Sequence, residues 1–82
     1  MDFKSLHGAK PDVSLHNPDA VYMRSLVAAC GMTQAEAAKA LGLSERVMRY
    51  YLSQNPDTFR PAPYTVQYAL EQLASHNYIV SP

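Results

Sequence analysis

The sequence lacks the features of secreted, membrane-bound and disulfide-stabilised proteins. Its single cysteine, Cys30, has no partner for an internal disulfide, which suits a reducing cytoplasm. Its position on an apolar stripe predicts a core residue. No apolar run approaches the roughly 20 residues of a membrane span, and the first eight residues do not resemble a signal peptide. We therefore expect a cytoplasmic protein with no membrane contact.

Signals of catalysis and metal binding are also scarce. The three histidines, His7, His16 and His76, share no metal-ligand spacing with Cys30, and no glycine-rich phosphate loop or nucleophile motif is present. A chain of 82 residues has room for one modest core and not for a deep substrate cavity. We therefore predict a binding protein rather than an enzyme, without cofactor or metal.

The chain also has no net charge, since seven basic residues balance seven acidic ones. Neutrality counts against nucleic-acid binding, which usually accompanies a basic excess. The positions of some charges nevertheless favour a basic surface. Three of the acidic residues lie before the predicted DNA-facing region: Asp2, Asp12 and Asp19. Basic residues fall in or just after the motif described below: Lys39, Arg46, Arg49 and Arg60. A local basic surface is therefore compatible with overall neutrality.

Capping residues and apolar periodicity divide the chain into helices. Residues 1–16 show no sustained period and predict an arm or irregular lead-in, with the domain itself over residues 17–82. Asn17 and Pro18 predict the start of a first helix over about 18–30, which Gly31 ends. Its apolar face carries five residues: Tyr22, Met23, Leu26, Val27 and Cys30.

The second and third helices are predicted from their caps. Thr33 and Glu36 fit a capping box that starts a helix at Gln34, and Gly42 suits its end. Ser44 is a favourable N-cap for a third helix that runs to about residue 53. Residues 54–62 predict a loop, and Pro63 opens a fourth helix that Asn77 ends. The apolar positions of this last helix are Val66, Ala69, Leu70 and Leu73.

Residues 33–53 resemble the helix-turn-helix of the Cro and phage-repressor class. Ala38 precedes Gly42 by four positions and is small enough for the second and third helices to cross closely. Met48 and Tyr51 are expected to pack the third helix against the second. The predicted fold is an all-α, four- to five-helix Cro/repressor-like helix-turn-helix domain.

The first turns of the third helix are the expected DNA-reading surface. The candidate base contacts are Ser44, Glu45, Arg46, Val47, Arg49 and Tyr50. Arg46 is the foremost, because a guanidinium can bond both major-groove acceptors of guanine. Arg49 suits a base or phosphate contact, or equally a salt bridge with Glu45. For Glu45 we favour stabilisation of the helix dipole over contact with cytosine.

Two further sets of residues are predicted from position. Candidate phosphate contacts are Gln34, Lys39 and Arg60. A helix-turn-helix of this size usually pairs, and the fourth helix and C-terminal residues are the expected dimer interface. Its candidate residues are Tyr64, Tyr68, Leu73, Tyr78, Ile79 and Val80.

Two longer stretches, residues 43–53 (LSERVMRYYLS) and 60–71 (RPAPYTVQYALE), resemble the small phage anti-CRISPR-associated (Aca) repressors. The likeness extends to Pro11-Asp12, His16 and Tyr22-x-Arg24, and the first branch of that family is closest. The resemblance implies a dimeric autorepressor of an anti-CRISPR operon, with Arg46 as a principal DNA contact. The chain departs from the family at Ala35 and Glu36, where the family pattern has adjacent basic residues.

The sequence therefore predicts a transcriptional repressor that binds double-stranded DNA as a homodimer. Its operator is expected to be an inverted repeat with half-sites about 34–36 Å apart. One alternative is a protein-interaction module that keeps the fold without binding DNA, which the neutral charge favours. Another is an antitoxin or restriction-controller type of regulator.

Overall fold

The computed structural model describes the backbone of residues 11–80 and the side chains of residues 11–76. Four α-helices follow a short 3-10 helix over Val13–Leu15: α1 (Ala20–Ala29), α2 (Gln34–Leu41), α3 (Glu45–Leu52) and α4 (Tyr64–Val80). These described residues contain no strand, so the all-α prediction is confirmed. The architecture is compatible with a small helix-turn-helix-like domain.

Local capping explains where α2 and α3 begin. The Thr33 hydroxyl accepts a hydrogen bond from the Glu36 amide at 3.1 Å, and the Glu36 carboxylate accepts one from the Thr33 amide at 2.9 Å. Gly42 ends α2 with φ +71°, a left-handed conformation that favours glycine. The Ser44 hydroxyl then caps α3 by accepting from the Val47 amide at 3.1 Å. All three predictions are confirmed, and the turn between the helices is only residues 42–44 long.

The start of α1 and the end of α4 differ from the prediction. Asp19, not Asn17, is the N-cap of α1, because its carboxylate accepts from the amides of both Val21 and Tyr22. Asn17 instead accepts from the Asp19 amide at 3.3 Å. At the other end, α4 continues past Asn77 to Val80. Asparagine only weakly disfavours a helix interior, and neither glycine nor proline follows it before residue 81.

The core lies where α1 packs against α3 and α4, and α2 packs against α3. Met23 and Leu26 of α1 and Met48 of α3 are completely buried. Ala37 and Ala38 are buried on α2, and α2 packs against α3 as predicted. Cys30 is also buried in this core, where burial raises the pKa of its thiol to about 11.

The buried face of α4 is more polar than predicted. Gln67, Glu71 and Ser75 are buried alongside Leu70, whereas Val66 and Leu73 are only partly buried. The Tyr22 hydroxyl donates to Glu71, and the Gln67 amide donates to the same carboxylate oxygen at 3.1 Å. These bonds satisfy polar groups whose burial would otherwise be costly.

The Gln67 side chain also joins α4 to residues 15–17, which precede α1. Its side-chain amide donates to the Leu15 carbonyl at 2.8 Å, and its side-chain oxygen accepts from the Asn17 amide at 2.7 Å. Tyr64 accepts from the Asp12 amide at 2.9 Å, and a His16 ring nitrogen is bonded to the Ala62 carbonyl at 2.8 Å. Side-chain hydrogen bonds therefore attach residues 12–17 to α4 and to Ala62, which lies before it.

No helix in the part of the chain that the structure describes combines the length and the apolar character needed to cross a membrane.

Candidate nucleic-acid interface

The exposed side of α3 carries most of the predicted base-contact residues. Four are exposed at the start or along the outer face of the helix: Ser44, Glu45, Arg46 and Arg49. The other two, Val47 and Tyr50, are half-buried. The Ser44 hydroxyl already accepts from the Val47 amide as the N-cap of α3. Arg46 and Arg49 have the longest side chains among the four exposed residues.

Arg46, Arg49 and Tyr50 share an open groove with residues from three other parts of the chain. We call it the arginine groove. Its lining consists of Arg24 from α1, Gln34 from α2, the three residues of α3, and the loop residues Ser53, Gln54, Asn55 and Thr58. Three of these side chains are cationic and none is acidic. A groove of this composition is suited to an anionic ligand.

Arg46 is held against Tyr50 one helical turn later. Its Nε–H donates to the Tyr50 hydroxyl at 2.8 Å, and its guanidinium carbon lies 5.7 Å from the centroid of the Tyr50 ring. The hydrogen bond with Tyr50 raises the pKa of Arg46, which therefore stays cationic. The Arg46 guanidinium is also fully exposed to solvent at this position.

Arg60 approaches the same ring from the loop that follows α3. Its guanidinium carbon lies 5.9 Å from the Tyr50 centroid, and its amide donates to the Tyr50 carbonyl at 3.1 Å. Arg60 and Arg46 are therefore two exposed cations on one aromatic side chain.

The predicted phosphate contacts separate into two groups. Gln34 lines the arginine groove, whereas Lys39 is exposed on α2 outside it and Arg60 reaches it only through Tyr50. The capping box already uses two amides at this end of α2, those of Thr33 and Glu36. The Thr33 and Glu36 amides are therefore already bonded and do not share an anion with Gln34.

Arg24 lines the arginine groove but is not among the site residues predicted from the sequence. Its Nε donates to the carbonyl of Leu52 at 2.6 Å, which fixes the side chain of α1 against the end of α3. The only signal was its place in the Tyr22-x-Arg24 stretch, because a solvent-facing arginine on the first helix has no motif of its own. The loop residues Asn55 and Thr58 likewise enter the groove through tertiary structure alone.

Four of the acidic residues have roles away from the arginine groove. Asp19 is the N-cap of α1, and Glu36 completes the capping box of α2. The Asp12 carboxylate accepts from the Ser14 hydroxyl, and Glu71 is buried. Hydrogen bonds from Thr33 hold the pKa of Glu36 below its usual range. These carboxylates stabilise helix starts and the core, and no acidic side chain lines the groove.

The described members of the predicted dimer interface already have contacts within the chain. The Tyr64 ring lies 5.9 Å from that of His16 and 6.1 Å from that of Tyr68, measured between centroids. Leu73 is half-buried against the core. The side chains of Tyr78, Ile79 and Val80 lie outside the described residues, although their backbone is helical.

Among the described side chains, no three histidine, cysteine or acidic residues come together in a group able to hold a metal ion. His7 lies outside the described residues. No protein-family model matches the sequence, and a search of curated proteins also finds no match.

Proposed function

We propose that this protein is a sequence-specific DNA-binding repressor, without enzymatic activity, that acts as a homodimer on an inverted-repeat operator. The observation that supports this most is the arginine groove, which places Arg46 and Arg49 of α3 beside Gln34 of α2 and Arg24 of α1. Helix α3 follows α2 across a short turn, and its exposed face carries Arg46 and Arg49. A helix with these features fits the major groove of DNA.

Within this proposal the arginines have different roles. Arg46 contacts a guanine, because it stands on the first exposed turn of α3, where recognition helices approach base edges. Arg24 and Gln34 lie on the neighbouring helices that border the groove and contact phosphates. Arg49 lies one turn after Glu45 and extends the cationic surface along α3. The resemblance of residues 43–53 and 60–71 to Aca repressors extends the proposal to control of an anti-CRISPR operon.

The test is a titration onto the DNA upstream of the protein's own gene at about 50 and 200 mM salt. Each phosphate contact contributes about −0.9 to the slope of log K against log salt, so affinity should fall steeply. Arg46→Ala should remove roughly 1–3 kcal/mol of preference for this DNA over a scrambled duplex. Lys39→Ala is the comparison variant for sequence preference, because Lys39 lies outside the groove and is predicted only as a phosphate contact, which carries no base information.

Binding that is indifferent to salt and to Arg46→Ala would refute the DNA-binding proposal and favour a protein-interaction module. A gene neighbourhood with a toxin instead of an anti-CRISPR reading frame would assign the DNA-binding activity to an antitoxin.

The homodimer is proposed to form through α4 and the residues at its end. Sedimentation at micromolar concentration should give a dimer, and Tyr68→Asp should shift it toward a monomer while the helical circular dichroism is kept. A monomeric wild-type protein that binds a single half-site would overturn this part of the proposal.

A further inference from the structure

We propose that Tyr50 is not a base contact but a positioning residue, which holds Arg46 for end-on recognition of a guanine through its two terminal nitrogens. This inference rests on the proposed function. It replaces the sequence-based expectation that Tyr50 itself touches a base, and it specifies which atoms of Arg46 face the DNA.

Two contacts of different kind restrain the Arg46 guanidinium. The hydrogen bond from Nε to the Tyr50 hydroxyl is directional, with the heavy atoms 2.8 Å apart. The ring centroid lies 5.7 Å from the guanidinium carbon, within the range of a cation–π interaction. An exposed arginine normally samples many rotamers, and each contact reduces the rotamer entropy lost when it binds.

The hydrogen bond also selects the donors that remain. Arginine has five N–H donors, one on Nε and four on the terminal nitrogens Nη1 and Nη2. Tyr50 takes the Nε donor, and no hydrogen bond among the described residues uses the terminal nitrogens of Arg46. Guanine presents two adjacent acceptors, O6 and N7, in the major groove. The two terminal nitrogens match this pair without breaking the bond to Tyr50.

Tyr50 is itself fixed from the other side of the chain. Its carbonyl accepts the Arg60 amide at 3.1 Å, and the Arg60 guanidinium carbon lies 5.9 Å from its ring centroid. Arg60 is in turn bonded through Nη1 to the Phe59 carbonyl at 2.9 Å. The loop after α3 therefore supports the tyrosine that supports Arg46.

The first experiment reads the pair in the free protein. The ¹⁵Nε–¹H resonance of Arg46 should be shifted by the Tyr50 ring and protected from solvent exchange, and Tyr50→Phe should move it and remove the protection. Tyr51→Phe is the matched control, because it removes the hydroxyl of the neighbouring tyrosine on the same helix. An Arg46 resonance that Tyr50→Phe leaves unchanged overturns the proposal without reference to DNA.

The second experiment measures sequence preference. Duplexes selected from a randomised pool by the wild-type protein should contain a guanine whose selection Arg46→Ala abolishes. Tyr50→Phe should reduce the preference for that guanine by about 2- to 10-fold, as expected for one lost hydrogen bond. Tyr51→Phe should leave it unchanged, and replacement of the guanine by 7-deazaguanine, which lacks N7, should reduce wild-type affinity.

The double variant separates positioning from direct contact. If Tyr50 acts through Arg46, Tyr50→Phe should have no further effect in the Arg46→Ala background. An equal effect in both backgrounds shows that Tyr50 touches DNA itself and overturns the proposal while repression stands. A wild-type protein that selects no sequence overturns the proposed function, and with it any role of this pair in DNA recognition.

Discussion

The hydroxyls of Tyr22 and Tyr50 bond charged side chains in opposite surroundings. The Tyr22 hydroxyl donates to Glu71, a buried carboxylate between α1 and α4, whereas the Tyr50 hydroxyl accepts from Arg46, which is fully exposed on α3. A buried polar group that loses its partner retains the cost of desolvation, but an exposed one is rehydrated. The same kind of bond therefore stabilises the fold at Tyr22 and leaves a charged group accessible at Tyr50.

The largest effect is expected at Glu71. Glu71→Ala leaves the Gln67 side-chain amide and the Tyr22 hydroxyl without their shared acceptor, and should lower the free energy of unfolding by about 2–4 kcal/mol. Urea denaturation measures the change. The matched control is Glu45→Ala, an exposed glutamate whose loss should cost below about 1 kcal/mol. Equal losses for the two variants would remove the contrast between buried and exposed sites.

A direct comparison of the two hydroxyls should give the next largest effect. Tyr22→Phe should lower the free energy of unfolding by about 1–2 kcal/mol, because it leaves a buried carboxylate with one donor fewer. Tyr50→Phe should cost below about 0.5 kcal/mol, because water replaces the lost acceptor for Arg46. If Tyr50→Phe lowered the free energy of unfolding as much as Tyr22→Phe, the bond between Tyr50 and Arg46 would contribute to the stability of the fold.

High pH should reduce the advantage of Tyr22 over phenylalanine. Burial, followed by the bond and the negative charge of Glu71, raises the pKa of Tyr22 above its ordinary value of 10.0. The stabilisation is therefore fully present below about pH 10 and is lost as the pH rises through the higher folded-state value. The difference in unfolding free energy between wild type and Tyr22→Phe should narrow from pH 8 to pH 10.5. A constant difference would contradict the assigned cause.

A small effect on stability is also expected at Arg24, whose side chain joins α1 to the end of α3. Arg24→Ala removes the bond to the Leu52 carbonyl and should cost about 0.5 kcal/mol of stability. If Arg24 contacts a phosphate, the variant should also reduce the magnitude of the salt slope by about 0.9 per contact without changing the preferred sequence. A changed sequence preference would instead place Arg24 against a base.

The range of an interaction explains part of the accuracy of sequence reasoning. The caps at Thr33 and Ser44 and the turn at Gly42 depend on residues within four positions, and they were predicted correctly. The buried Gln67 and Glu71 bond Asn17 and Tyr22, which are 50 and 49 residues away. The apolar periodicity of α4 does not detect such partners and predicted core positions at Val66 and Leu73 instead, which are only half-buried. Range is not the whole reason, because Asp19 rather than Asn17 caps α1 and Arg46 bonds Tyr50 four positions later, and neither is predicted from the sequence.

The two hydrogen bonds between Gln67 and residues 15–17 have a consequence for local unfolding. The Asn17 amide lies before α1, in an exposed stretch without regular structure, where amide protons normally exchange rapidly with solvent. Its bond to the Gln67 side chain should slow that exchange to the rate at which the segment detaches from α4. Hydrogen exchange at the Asn17 amide would therefore report the detachment of residues 15–17 from α4 separately from global unfolding.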